Sequence, residues 1–410
     1  MYDPTFGSAA LARHLSKSDF LKQPALKNEA HKEALVTQAV ATARNGFTSL
    51  PLTPNNLAGR TIYQVNDLAC DLVLRKAAQN IRRITASKQG SRIEIVRRLK
   101  LLCEEGLPFT VAKMDVKNFY PSVDQDFLSS QLSKRLMTAP STRSVVSSLI
   151  EQCKINSVNG LPPGLAISAE LSEFYMQDFD QRMREQLNAH YFARYVDDIV
   201  LILPELEHPN SLKAQIEEAL PTGLKLNFSK SKIYPFKNAK MKTPTVEHSF
   251  DYLGFQFSVF NTDKAKPISR RVEIDIAPSK VLKNKTRIVK SLLRYLVDGN
   301  FTDLRDRVRI LTCGYQFFDE RQQNKRSAGL QHTYSLIESN APALAELDRF
   351  FSGMVLCRSG AIGGRLALAL TNRQRKELLK YSFVNGFANR VHFRFSADRL
   401  AGLMECWKYA

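Results

Sequence analysis

Two adjacent acids, Asp197 and Asp198, stand inside Ala193-Arg194-Tyr195-Val196-Asp197-Asp198-Ile199-Val200-Leu201-Ile202-Leu203, between apolar, β-favouring residues. The pattern predicts a β-hairpin whose tip holds both carboxylates. Neighbouring carboxylates repel, and burying them between strands is favourable only where a cation joins them. An Asp pair also suits an ordinary turn, so the pair alone does not decide. A third acid, Asp115, ends the short apolar strand in Val111-Ala112-Lys113-Met114-Asp115-Val116-Lys117-Asn118-Phe119-Tyr120-Pro121-Ser122. One acid at a strand end and two at a hairpin tip form a ligand set suited to two divalent ions roughly 3.5–4 Å apart, the arrangement for in-line displacement at phosphorus.

The elements that must position these acids are legible from periodicity. Leu68, Leu72, Leu74, Ala78 and Ile81, then Ile93, Val96, Leu99 and Leu102, recur at helical spacing. Between the two helices lies a basic segment with a glycine, residues 82–92. Asn159-Gly160-Leu161-Pro162-Pro163-Gly164-Leu165 is a loop of turn residues opening a helix, whose buried face is predicted from Ile167, Leu171, Phe174, Tyr175, Phe179 and Met183. Leu212 to Leu220 reads as a short helix, followed by Leu224-Lys225-Leu226-Asn227-Phe228-Ser229-Lys230-Ser231-Lys232, and Phe250-Asp251-Tyr252-Leu253-Gly254-Phe255-Gln256-Phe257 alternates as a strand does.

Taken in order, these stretches resemble motifs A to E of reverse transcriptases, in which motif C reads Tyr-x-Asp-Asp. The resemblance covers residues 60–260 and implies an α+β right-hand polymerase with fingers, a palm containing an antiparallel sheet, and a thumb. Its boundaries are a helical extension over 1–59, fingers over 60–110, palm over 111–260, a thumb helix over 261–300 and an all-α region over 301–410. It implies that Asp115, Asp197 and Asp198, with the Val116 carbonyl, hold two Mg²⁺, Mn²⁺ being able to substitute. Incoming dNTP would meet Arg83, Arg92, Phe119, Tyr120, Gly164 and Lys230. Tyr120 would exclude a 2′-hydroxyl, and Leu253 and Gly254 would grip the primer. Arg83 and Arg92 read equally well as a solvated basic loop, and Tyr120 as a core tyrosine. Lys230 and Lys232 lie near the nucleotide phosphates in this reading; Lys230 is a candidate general acid, with phosphate neutralisation or plain solvation as alternatives. Pro163 replaces the common glutamine of motif B, and Pro-Pro-Gly-Leu-Ala-Ile-Ser-Ala-Glu-Leu resembles the abortive-infection and other defence-associated bacterial enzymes. That departure leaves open a template-independent or protein-primed DNA polymerase. A third reading is a catalytically idle RNA-binding scaffold.

Bulk properties agree with a polyanionic partner: 59 Lys and Arg against 40 Asp and Glu give a net charge of +19. From Ser279 to Leu296, Lys280, Lys283, Arg287, Lys290 and Arg294 fall on one helical stripe, opposite Val281, Ile288, Leu292 and Tyr295. Like charges so placed cost a few tenths of a kcal/mol per pair unless a phosphate backbone lies alongside. Further helices are predicted around Leu304 to Tyr315, Leu330 to Ser339 and Leu344 to Val355. No acid cluster suggests a ribonuclease H and no Cys/His set a zinc endonuclease. Six scattered cysteines without a C-x-x-C pair favour a reducing compartment. With no leader-like N-terminus and no run of eighteen apolar residues, the expectation is a soluble cytoplasmic protein without a membrane role. Expected partners are an RNA template, with a neighbouring non-coding RNA as a candidate, the DNA product, dNTPs, and either a second copy or a second polymerase subunit.

Overall fold

The computed structural model describes residues 3–57, 59–85, 90–134, 138–205, 209–237, 240–266, 268–319 and 324–408. Its contacts divide the chain into two compact units. The first comprises Met1–Ser91 and Pro108–Lys237, the second Arg92–Leu107 and Asn238–Ala410. Helix and sheet are mixed in both. Among the described residues, no helix is long and apolar enough to cross a membrane.

In the first unit, β1 (Leu52–Leu57) and β2 (Arg60–Val65) form an antiparallel hairpin. The expectation here was a helical extension up to residue 59 passing into the fingers. The alternation of Thr61, Ile62, Tyr63, Gln64 and Val65 wins instead, and Pro54 is tolerated because a two-stranded ribbon has free edges. The helix Leu68–Thr85 buries Leu72, Val73, Ala77 and Ile81. It packs against the helix Ala166–Gln186. All six residues predicted for the inner face of the latter, Ile167, Leu171, Phe174, Tyr175, Phe179 and Met183, are buried. Each such side chain contributes roughly 1.5–3 kcal/mol of burial.

These helices cover a four-stranded sheet of order β4-β5-β3-β6, with β3 Phe109–Asp115, β4 Tyr191–Tyr195, β5 Asp198–Pro204 and β6 Lys232–Phe236. Every neighbouring pair is antiparallel. Strands β3 and β5 are central, and Val111, Ala112, Met114, Ile199, Val200 and Leu201 are buried without alternation.

In the second unit, β7 (Lys240–Met241) pairs with β10 (Thr262–Asp263). Strands β8 (Val246–Tyr252), β9 (Phe255–Phe260) and β11 (Val272–Ile276) make a sheet of order β11-β9-β8. The helix Arg92–Cys103 belongs to this unit, where the expectation set it in the fingers. The predicted cationic helix spans Pro278–Asp298 and ends on Gly299 in the left-handed conformation. Helices at Phe301–Thr312 and Pro342–Leu356 follow, with only a short one at Leu330–Thr333.

The region 301–410 is not all-α. Strands β12 (Gly314–Asp319), β13 (Asn324–Ala328) and β14 (His392–Arg394) form a sheet of order β13-β12-β14. The helix predicted up to Tyr315 stops at Thr312, because Gly314 lies against the His392 ring, where a Cβ would approach Cδ2 to 2.6 Å. Tyr315, Phe317 and Phe318 beyond it favour a strand.

Candidate active site

The register places the acids. Tyr195 pairs with Asp198 across β4 and β5, so the loop between them is Val196 and Asp197 alone. Asp198 is the first residue of β5 and stands opposite Asp115, the last of β3. The Val116 N–H donates to the Asp197 carbonyl at 3.2 Å, stitching the loop to the end of β3. On the other side Asn227 N–H donates to the Asp115 carbonyl at 2.7 Å, Lys117 N–H to that of Lys225 at 2.9 Å, and Asp115 N–H to the Ser231 hydroxyl at 3.1 Å. Asp115 and the Asp197–Asp198 pair, distant from each other in sequence, thus share one end of the sheet, on backbone tied from both flanks.

Burial pushes the Asp198 carboxyl up to about 6, aided by the negative charges of Asp197 and then Asp115. Burial raises Asp197 too, with Asp115 adding to it. Lys230, exposed, brings Nζ to 3.7 Å from Asp115 Oδ2. Among the described residues no three His, Cys, Asp or Glu side chains are drawn together into a metal cage. Carboxylate oxygens are hard donors of the kind that Mg²⁺ and Mn²⁺ take.

Next to the acids, Phe119 is buried and meets the half-buried Tyr120 edge-on, with ring centroids 5.4 Å apart. Phe119, expected to meet nucleotide, thus packs edge-on to the Tyr120 ring. Burial raises the Tyr120 phenol, against a hydrogen bond with Ser172. The loop before the long helix closes on the same residue: Leu161 N–H donates to the Tyr120 carbonyl at 2.9 Å. Gly160, at φ +63°, lies so near that a Cβ would meet that oxygen at 2.1 Å. Gly164, at φ +104°, presses on β2, a Cβ meeting the Tyr63 carbonyl oxygen at 2.7 Å, while Tyr63 N–H donates to the Pro163 carbonyl at 2.7 Å. The hairpin β1–β2 and the Pro-Pro-Gly loop are thus one construction. Arg83 is exposed on the Leu68–Thr85 helix, and residues 86–89 of the basic segment lie outside the described residues.

Residues 64–257 match the family model of the reverse transcriptase (RNA-dependent DNA polymerase). That stretch, just under half of the chain, is similar to a reverse transcriptase domain. Domains of that family are RNA-directed DNA polymerases, nucleotidyltransferases that use divalent metal ions. A solved structure of apo telomerase from Candida tropicalis, truncated from its C-terminal domain, is similar at 13% identity with a TM-score of 0.35. The similarity covers 56% of this chain and 55% of that one, so the chain spans about half the length of the structure it matches. No curated protein matches.

The matched residues end inside β9, in the second unit. There Leu253 (φ +47°) and Gly254 (φ +79°) form the two-residue turn from β8 to β9. Arg92 serves this turn. Its Nε donates to the Leu253 carbonyl at 2.7 Å and its Nη1 to that of Thr333 at 3.0 Å, with the guanidinium 4.7 Å from the Phe255 ring centroid and 5.4 Å from that of Tyr334. Lys280 of the cationic helix lies against Gly254. Along the same helix Arg294 donates to Asp298 at 3.1 Å. Arg287 turns toward Trp407, 5.7 Å from its ring centroid, and burial lowers its pKa. Burial also lowers Lys283, with Arg287 and Lys280 adding to it. Lys283 and Lys290 are half-exposed on this stripe, and Lys232 is exposed at the start of β6 in the first unit.

Sequence reasoning missed Arg60, whose charge lowers Asp197, and Ser231 behind Asp115. It also missed Arg194, buried in β4 and paired with Glu173 and Asp180. The signal for the last was available: an arginine inside an apolar strand needs anionic partners, and two acids seven residues apart share a helix face.

Proposed function

We propose that this protein is an RNA-directed DNA polymerase that adds dNTPs to a primer 3′ end with two Mg²⁺ ions held by Asp115, Asp197, Asp198 and the Val116 carbonyl. The observation that carries this is the register of β3 on β5, which sets Asp115 opposite Asp198 with Asp197 in the adjoining loop. The bound ions would supply Lewis acidity at the primer hydroxyl and neutralise charge on the leaving phosphates. The chain's own residues do the rest. The tied strand end keeps the acids in place, and desolvation strengthens every charge interaction there. Lys230, next to Asp115, delivers a proton to the leaving pyrophosphate or neutralises it. Tyr120, propped by Phe119 and held from behind by the Gly160 loop, presents a ring edge to the sugar and disfavours a 2′-hydroxyl. In this reading the first unit supplies palm and fingers, and the second supplies the primer-grip turn at Leu253 and Gly254 and the basic thumb helix. The Pro-Pro-Gly form of residues 162–164 supports a place in bacterial antiviral defence, with a small RNA as template and a cytoplasmic setting.

The test is incorporation of labelled dNTP on an RNA template with a DNA primer, beside reactions lacking template or primer. Asp197→Asn and Asp115→Asn each lower incorporation by about a thousandfold or more without lowering the melting temperature. Tyr120→Val admits rNTP. Incorporation that ignores the template, with DNA left covalently on the protein, replaces templated synthesis by the protein-primed reading. No incorporation by the wild type under any of these conditions leaves only the scaffold.

A further inference from the structure

Val196 is a β-branched residue at φ +59°, a conformation such residues avoid at a cost of roughly 1–3 kcal/mol. It directly precedes the acid pair, so whatever keeps it there aims Asp197 and Asp198. A buried guanidinium reaches its carbonyl. Arg194 Nη1 donates to the Val196 carbonyl at 3.1 Å. The same guanidinium is fixed by the Ala166–Gln186 helix: Nε and Nη2 donate to Asp180 at 2.8 Å each, and Nη1 and Nη2 to Glu173 at 3.1 and 2.7 Å. Its side chain is 3% exposed, and those of Glu173 and Asp180 are 16% exposed. The five N–H groups of Arg194 are thereby engaged by Asp180, Glu173 and the Val196 carbonyl.

We propose that Arg194 is a positioning residue for the acid pair: anchored by Glu173 and Asp180, it clamps the Val196 carbonyl and holds the loop in its left-handed form. A lysine can keep the buried charge balanced, but its single nitrogen does not span two carboxylates and a carbonyl in one plane. A plain brace of the fold would need only the helix contacts. A clamp must also matter in proportion to the strain it opposes, and glycine takes φ +59° unaided.

The experiment is a cycle of Arg194→Lys, Val196→Gly and the double variant in the full chain, with folding checked by melting. Rates are compared within each background, because Val196→Gly also loses a half-buried side chain. Arg194→Lys should speed amide exchange of the segment 196–199 about tenfold, the loss of one charged hydrogen bond. It should lower kcat for dNTP incorporation tenfold or more with KM for dNTP within about twofold, as a small misplacement of catalytic groups does. In the Val196→Gly background the same change should lower kcat less than about threefold, the coupling expected of a shared loop. Equal losses in both backgrounds, or unchanged exchange, overturn the clamp. If Arg194→Lys does not fold, Glu173→Gln loosens one anchor with the guanidinium retained and is read by the same cycle. The kinetic arm rests on the polymerase reading and the exchange arm does not, so a wild type without incorporation sinks that reading while exchange still decides the clamp.

Discussion

The two units solve one backbone problem in different ways. Each has a hairpin loop in which an apolar residue takes positive φ, Val196 between β4 and β5 and Leu253 between β8 and β9, and in each an arginine donates to that residue's carbonyl. Arg194 is held by ions, being buried between Glu173 and Asp180. Arg92 is held by rings, against Phe255 and Tyr334, with a second carbonyl from Thr333. The ionic clamp serves the loop that carries the acids, and the aromatic clamp serves a loop that carries none. A guanidinium locked by two carboxylates has one geometry, whereas one lying on ring faces can slide. Rigidity is therefore greatest where charges must be aimed.

The largest expected effect follows from that contrast. Arg194→Met leaves two largely buried carboxylates without this partner and costs about 3 kcal/mol, while Arg92→Met, which leaves the rings packed, costs about 1–2 kcal/mol. Urea denaturation of both variants measures this, and equal costs would break the distinction between the clamps. The glycines give the next largest. Gly160→Ala drives a methyl into the Tyr120 carbonyl oxygen and the Pro121 backbone and is expected to cost up to about 3 kcal/mol. Gly254→Ala meets only the ends of Arg92 and Lys280, at 3.2 and 3.4 Å, and should cost only the left-handed penalty of about 1–2 kcal/mol. A Gly160→Ala protein as stable as the wild type would show that the loop behind Tyr120 is free to shift.

The acids were legible because carboxylates among apolar strand residues are costly anywhere except at a cation site. The helix after the Pro-Pro-Gly loop was legible from its spacing, and its six predicted inward residues are buried. What could not be read was pairing at a distance. Arg92 follows a basic segment in sequence, so it looked like one more cation for phosphate; only the fold brings Leu253 and Thr333 to it. Arg287 was read as part of an open cationic stripe, and nothing local tells that Trp407, far along the chain, donates to its carbonyl at 3.1 Å. Strands β1 and β2 were hidden by Pro and Asn residues that usually mark turns, and β12 by the helical periodicity running into it. In each case tertiary contact outweighed local preference.

The smallest effect separates the two loops by charge alone. In the metal-free protein Asp198 sits at about 6 through burial and the charges of Asp197 and Asp115, above the ordinary 3.8. The folded state therefore binds this proton more tightly than the unfolded state does. The stability it contributes is fully present below about 4 and is lost as pH rises through about 6. Asp19 acts in the opposite sense and in another window. Burial would raise it, but hydrogen bonds from Arg75 and Ser16 hold it at about 2, so its contribution is present above about 4 and is lost only as pH falls below that. Between pH 7 and 5 the melting temperature of the metal-free protein should thus rise on acidification. Asp198→Asn should remove most of that rise, and Arg92→Met should leave it intact. Excess Mg²⁺ should flatten it, because ions bound by the carboxylates favour the deprotonated state. A rise of the same size in Asp198→Asn would mean that the acid pair is solvated, and the ionic clamp beneath it would then have no buried charge to aim.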